Sequence, residues 1–113
     1  MLVAAGDDGN GHPVSWTSTD GADWTAGRPV SGVTGNFDAI IATPSGFAGS
    51  MVAADGASTI ATSTDGRSWQ VVADRGVLGE GAINGLAWDP VRGIAIGVGW
   101  DGRTPAAAVW TGR

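Results

Sequence analysis

Eleven carboxylates are the side chains of this chain best suited to chemistry, and all but one are aspartate. The single glutamate, Glu80, stands in the connector Gly79-Glu80-Gly81. Acid/base catalysis by two carboxylates needs a pair held roughly 5–10 Å apart. Half of the ten aspartates instead precede glycine, at Asp8-Gly9, Asp20-Gly21, Asp55-Gly56, Asp65-Gly66 and Asp101-Gly102. In such pairs glycine takes the positive φ of a tight hairpin, so these carboxylates belong to turns. His12 is the only histidine, and cysteine and tyrosine are absent. A histidine or thiolate metal cluster within one chain is therefore excluded, as are Cys and Tyr nucleophiles. Asp7-Asp8-Gly9-Asn10-Gly11-His12 is rich in oxygen ligands but lacks the spacing and closing Glu of a calcium loop, and reads as a hairpin turn. Gly6, Gly9 and Gly11 precede no helix, so they form no phosphate-binding fingerprint. No cofactor and no metal are expected.

The elements that carry these turns repeat. Ser18-Thr19-Asp20-Gly21-Ala22-Asp23-Trp24 returns as Ser63-Thr64-Asp65-Gly66-Arg67-Ser68-Trp69, 45 residues on. Asp8-Gly9, Asp55-Gly56 and Asp101-Gly102 recur at spacings of 47 and 46. Phe37 to Pro44 matches Ile83 to Pro90 at 46, and Val109-Trp110-Thr111 matches Ser15-Trp16-Thr17. No amphipathic helical stripe runs uninterrupted by Gly or Pro, whereas short apolar runs between turn signals read as strands. The middle unit divides into strands at 36–43, 47–53, 58–62 and 68–73. The first unit supplies 2–6, 13–17 and 23–26, and the last 83–88, 94–99 and 106–111.

Four-stranded antiparallel units of about 40–50 residues are the blades of a β-propeller. The expected fold is all-β, with ten strands forming about 2.5 blades in one partial propeller over residues 1–113. Blade 1 gives strands two to four (1–30), blade 2 is complete (31–76), and blade 3 gives strands one to three (77–113). Near-continuous apolar runs such as Ala39-Ile40-Ile41-Ala42 suit strands covered on both faces. A plain β-sandwich of short strands is the competing architecture, and the regular repeat weighs against it.

Composition narrows the function classes. A net charge of -5, with six scattered arginines and no lysine, argues against nucleic acid, which needs clustered cations. No run approaches the ~18 apolar residues of a membrane helix, and Met1-Leu2-Val3-Ala4-Ala5 reads as a strand rather than a signal peptide. Arginine without lysine, beside abundant Gly and Ala, hints at a high-GC bacterial genome.

The Ser-Thr-Asp-Gly-x-x-Trp heptapeptide resembles the Asp-box, or bacterial neuraminidase (BNR) repeat, in its shorter form. The resemblance implies a structural role for Ser18, Asp20, Gly21, Trp24, Ser63, Asp65, Gly66 and Trp69: Asp and Ser hold a hairpin between strands three and four, and Trp packs between blades. It also favours an extracellular or periplasmic setting. The resemblance reaches sialidases, which use a Tyr–Glu nucleophile pair, an Asp acid/base and an arginine triad. This chain has no tyrosine, one glutamate and no Arg-Ile-Pro signature. The expectation is a non-enzymatic binding or scaffold module with no catalytic residue. The alternative is part of a sialidase-like or other glycan-active enzyme whose catalytic residues lie outside this chain.

In such meanders the one–two and three–four turns share one end, and the two–three turns share the other with the unit connectors. The second end gathers the candidate ligand contacts Asp8, His12, Arg28, Arg75, Trp100, Asp101 and Arg103. Trp100 suits stacking on a sugar or anchoring a protein partner. Two and a half blades leave a blade face uncovered at each end of the arc. A homo-oligomer, or the remaining blades of a longer propeller, is therefore the expected partner, with a glycan or protein as ligand.

Overall fold

The computed structural model describes residues 1–30, 32–53, 56–73, 82–100 and 107–112. They form an all-β structure of three antiparallel sheets, with no helix. The first sheet orders β1 (Leu2–Asp7), β2 (Pro13–Ser18) and β3 (Thr25–Ala26). The middle sheet orders β4 (Asn36–Thr43), β5 (Gly46–Val52), β6 (Ser58–Ser63) and β7 (Gln70–Ala73). The third contains β8 (Ala82–Asp89), β9 (Ile94–Trp100) and β10 (Ala107–Gly112). Each sheet is a meander of neighbouring hairpins, as short turns dictate.

The sequence repeat is also a register repeat. Ala5 pairs with Ser15, Ser50 with Ile60, and Val98 with Val109, so these pairs occupy one position in three sheets. A bulge between Phe37 and Ala39 recurs between Ile83 and Gly85. The fourth strands are shorter than the sequence suggests, starting at Thr25 and Gln70 rather than at residues 23 and 68. The cause is local: the N–H groups of Asp23 and Ser68 donate to the Asp20 and Asp65 carboxylates and are held in the turn.

The sheets stack face to face. Buried Val30, Phe37, Met51 and Ala61 form a core completed by Ala5, Val33, Trp69 and Val71, between the first and middle sheets. The Phe37 and Trp69 rings meet at 4.9 Å in a tilted geometry of 57°, the arrangement favoured by ring quadrupoles. Phe37 lies over Gly49, where a Cβ would stand 2.7 Å from the ring. On the opposite face of the middle sheet, the buried Ser58 hydroxyl accepts the Ile83 N–H at 2.8 Å and ties in the third sheet.

Candidate functional site

The two heptapeptides fold into near-identical clasps. After β2, Ser18 Oγ accepts the Gly21 N–H at 2.8 Å and donates to Asp20 Oδ1 at 3.0 Å. The same Oδ1 accepts the N–H groups of Ala22 and Asp23 at 2.8 and 2.9 Å. After β6, Ser63 and Asp65 repeat the pattern on Gly66, Arg67 and Ser68 at 2.8, 2.8 and 3.0 Å. Gly21 and Gly66 hold φ of 81° and 77°, the left-handed region that the turn requires. The Asp23 and Ala22 N–H groups and the Ser18 hydroxyl lower the pKa of Asp20. Those of Ser68 and Arg67, with the Ser63 hydroxyl, lower that of Asp65. Every carboxylate bond here closes a turn.

The environments of the clasps differ. The middle clasp is driven into the first sheet: buried Ser15 donates its hydroxyl to Gly66 O at 2.6 Å and accepts Trp69 Nε1 at 2.8 Å. Arg67 Nε reaches Thr17 Oγ1 at 3.3 Å, and the Arg67 carbonyl accepts the Arg28 N–H at 3.1 Å. Among the described residues the first clasp has no such neighbour. Trp24 is 43% exposed, and its Nε1 donates back to Gly21 O of its own turn at 3.2 Å.

The loops at the other end of the strands hold the second group of candidates. Asp8 Oδ1 accepts the Asn10 and His12 N–H groups at 2.7 and 3.2 Å, and Asp8 Oδ2 lies 3.2 Å from His12 Nδ1. The Asn10 N–H is the main cause of the lowered Asp8 pKa, helped by the backbone, ring and charge of His12. Asp8 is thereby spent on shaping its own hairpin. Gly35 N–H donates to Gly11 O at 2.6 Å, which joins the connector before β4 to this loop.

Comparison of the chain with protein families, curated proteins and solved structures finds no match. Its chemistry is read from its own geometry.

Of the seven candidate contacts, Asp8 and His12 are brought together. Arg28 follows β3 in the connector whose Val30 N–H donates to Pro13 O at 2.9 Å, next to His12. β3 ends at Ala26, and the Gly27 N–H bonds back to Ser15 O at 2.7 Å. That carries Arg28 against the middle heptapeptide turn. There Arg28, Asp65, Arg67, Ser68 and Thr25 line an open groove of about 340 Å³. Trp100 closes β9, pairing with Ala82 and Ala107. Arg75, Asp101 and Arg103 lie outside the described residues. Among the described residues no three His, Cys, Asp or Glu side chains gather as metal ligands.

Ser15 is the residue that sequence reasoning missed. Its signal is a departure from the repeat: Ile60 and Val109 hold the same position in the other sheets. A serine at an apolar, buried position marks a hydroxyl with a specific partner.

Proposed function

We propose that this chain is a segment of an Asp-box β-propeller that acts as a non-enzymatic binding or scaffold module, its sheets being successive blades. The observation that carries this reading is the Ser15–Gly66–Trp69 contact. One serine in the first sheet satisfies both the turn carbonyl and the indole of the next heptapeptide. The repeated motif thus serves as a fastener between sheets, and its Asp and Ser are occupied by backbone groups rather than free for substrate. The carboxylate–imidazole pair at Asp8 and His12 is likewise engaged with its own loop.

A scaffold of this kind binds through its loops and leaves the bound molecule unchanged. The test is to incubate the purified chain with aryl glycosides, α-sialosides included, alongside a glycan and peptide array. Array binding, with no glycoside hydrolysis above buffer, is the expected result. Hydrolysis that follows the protein through purification would overturn the reading, and its loss or survival in Asp8→Asn with His12→Ala would show whether that pair carries it.

A further inference from the structure

The first and middle sheets present equivalent faces, and that of the first sheet is the more open, although Val14 and Ser18 on it are buried. In the middle sheet this face contains Phe47, Met51, Ala61 and Trp69, with Met51 1% and Ala61 0% exposed beneath the first sheet. The strand registers and the 45-residue repeat put Leu2, Gly6, Trp16 and Trp24 at the same positions of the first sheet. Local packing agrees with that equivalence. A Cβ on Gly66 would stand 3.4 Å from the Phe47 ring, and one on Gly21 stands 3.4 Å from Leu2. The Gly66 position also meets Val3 and Thr17 of the covering sheet, at 2.8 and 3.3 Å, whereas among the described residues the Gly21 position meets nothing else. Leu2 is 51% and Trp24 43% exposed, on a face whose strand positions carry no charged side chain.

The matching cover is present on the third sheet. In the covered interface the first sheet offers Val3, Ala5, Ser15 and Thr17. Register puts Val98 at the position of Ala5 and Val109 at that of Ser15. Val98 is 46% exposed. Trp24 needs no hydroxyl partner there, because its indole N–H is already bonded to Gly21 O. Among the described residues, one chain therefore carries both halves of its own internal interface, at opposite ends of the stack.

We infer that the open face of the first sheet docks on the third sheet of a second copy of this chain, two copies closing a ring of six sheets. The inference rests on the reading of the sheets as stacked blades. Such a contact is heterologous, and two-fold repetition closes it. Apolar faces of this kind are otherwise uncommon on monomers.

The test is sedimentation over a concentration series, for the wild-type chain, Leu2→Asp and Val98→Asp. Both residues are about half exposed, so the variants keep the fold, which circular dichroism checks. Wild type is expected at twice the chain mass, and each variant alone as a monomer, its apparent dissociation constant raised at least about 100-fold. An equimolar mixture of the two variants retains one intact interface and forms a 1:1 pair, weaker than wild type. The inference is overturned by a monomeric wild type, a dimer that either variant leaves intact, or a mixture that stays monomeric. A monomer that still loses stability on Ser15→Ala would sink this inference alone and leave the stacked-blade reading standing.

Discussion

Replacing Ser15 by alanine tests the fastener between the first two sheets. The hydroxyl serves two groups at once, Gly66 O at 2.6 Å and Trp69 Nε1 at 2.8 Å, in a residue that is 0% exposed. Leaving the buried Gly66 carbonyl without a donor costs about 1–3 kcal/mol. The half-buried Trp69 indole loses a bond worth about 1 kcal/mol. Together Ser15→Ala destabilises by about 2–4 kcal/mol, or about 30- to 700-fold in the folding equilibrium. Urea unfolding followed by tryptophan fluorescence, at one fixed protein concentration, reads this as a fall in midpoint of about 1–2 M at unchanged slope. Trp69→Phe keeps ring area and removes the N–H, so a cycle with Ser15→Ala should return a coupling of about 1 kcal/mol. A Ser15→Ala loss below about 0.5 kcal/mol, the range of ordinary surface substitutions, would refute the reasoning.

The two turn glycines separate backbone strain from packing. Gly21→Ala, at φ 81° beside Leu2 alone, should cost about 1–2 kcal/mol. Gly66→Ala adds overpacking against Val3 and Thr17, a further ~1–3 kcal/mol, so equal urea midpoints would contradict the described contact. The clasps also predict an acid transition. Asp20 and Asp65 titrate below their ordinary value in the folded chain, chiefly because the Asp23 and Ser68 N–H groups favour the charged form. As pH falls the unfolded chain takes up these protons first. Their stabilisation is thus complete above about pH 3.9 and is lost as pH drops through the depressed folded values. Asp65→Asn keeps an acceptor oxygen without the titration, and should flatten the plot of urea midpoint against pH below about 4.

The strands were legible in the sequence because turn chemistry and apolar runs carry local information. Asp-Gly pairs and the repeated heptapeptide mark where hairpins must close, and all ten expected strands are present with their ends moved by at most a few residues. The largest displacement, at the starts of β3 and β7, comes from Asp20 and Asp65 capturing N–H groups that a pattern of apolar residues does not register. Placement between sheets was less legible. Arg28 was expected near Asp8 because connectors usually lie at that end. Its contact with the Arg67 carbonyl, which the sequence pattern does not announce, is set by the early end of β3 and the close approach of Gly27. Trp24 and Trp69 are indistinguishable as letters in a repeat, yet one is covered by a sheet and the other is not. Burial between sheets depends on what stacks on each copy, and a motif does not contain that.

The central claim is that the second heptapeptide turn is seated in the preceding sheet. Proton–proton Overhauser contacts from the Gly66 α-protons test it most directly, since that position faces Val3 Cγ2, Thr17 Cγ2 and the Phe47 ring. Cross-peaks to the Val3 and Thr17 methyls are expected, together with movement of the Trp69 indole N–H resonance, but not that of Trp24, in Ser15→Ala. Cross-peaks from Gly66 to Phe47 alone, with none to the first sheet, would contradict the account.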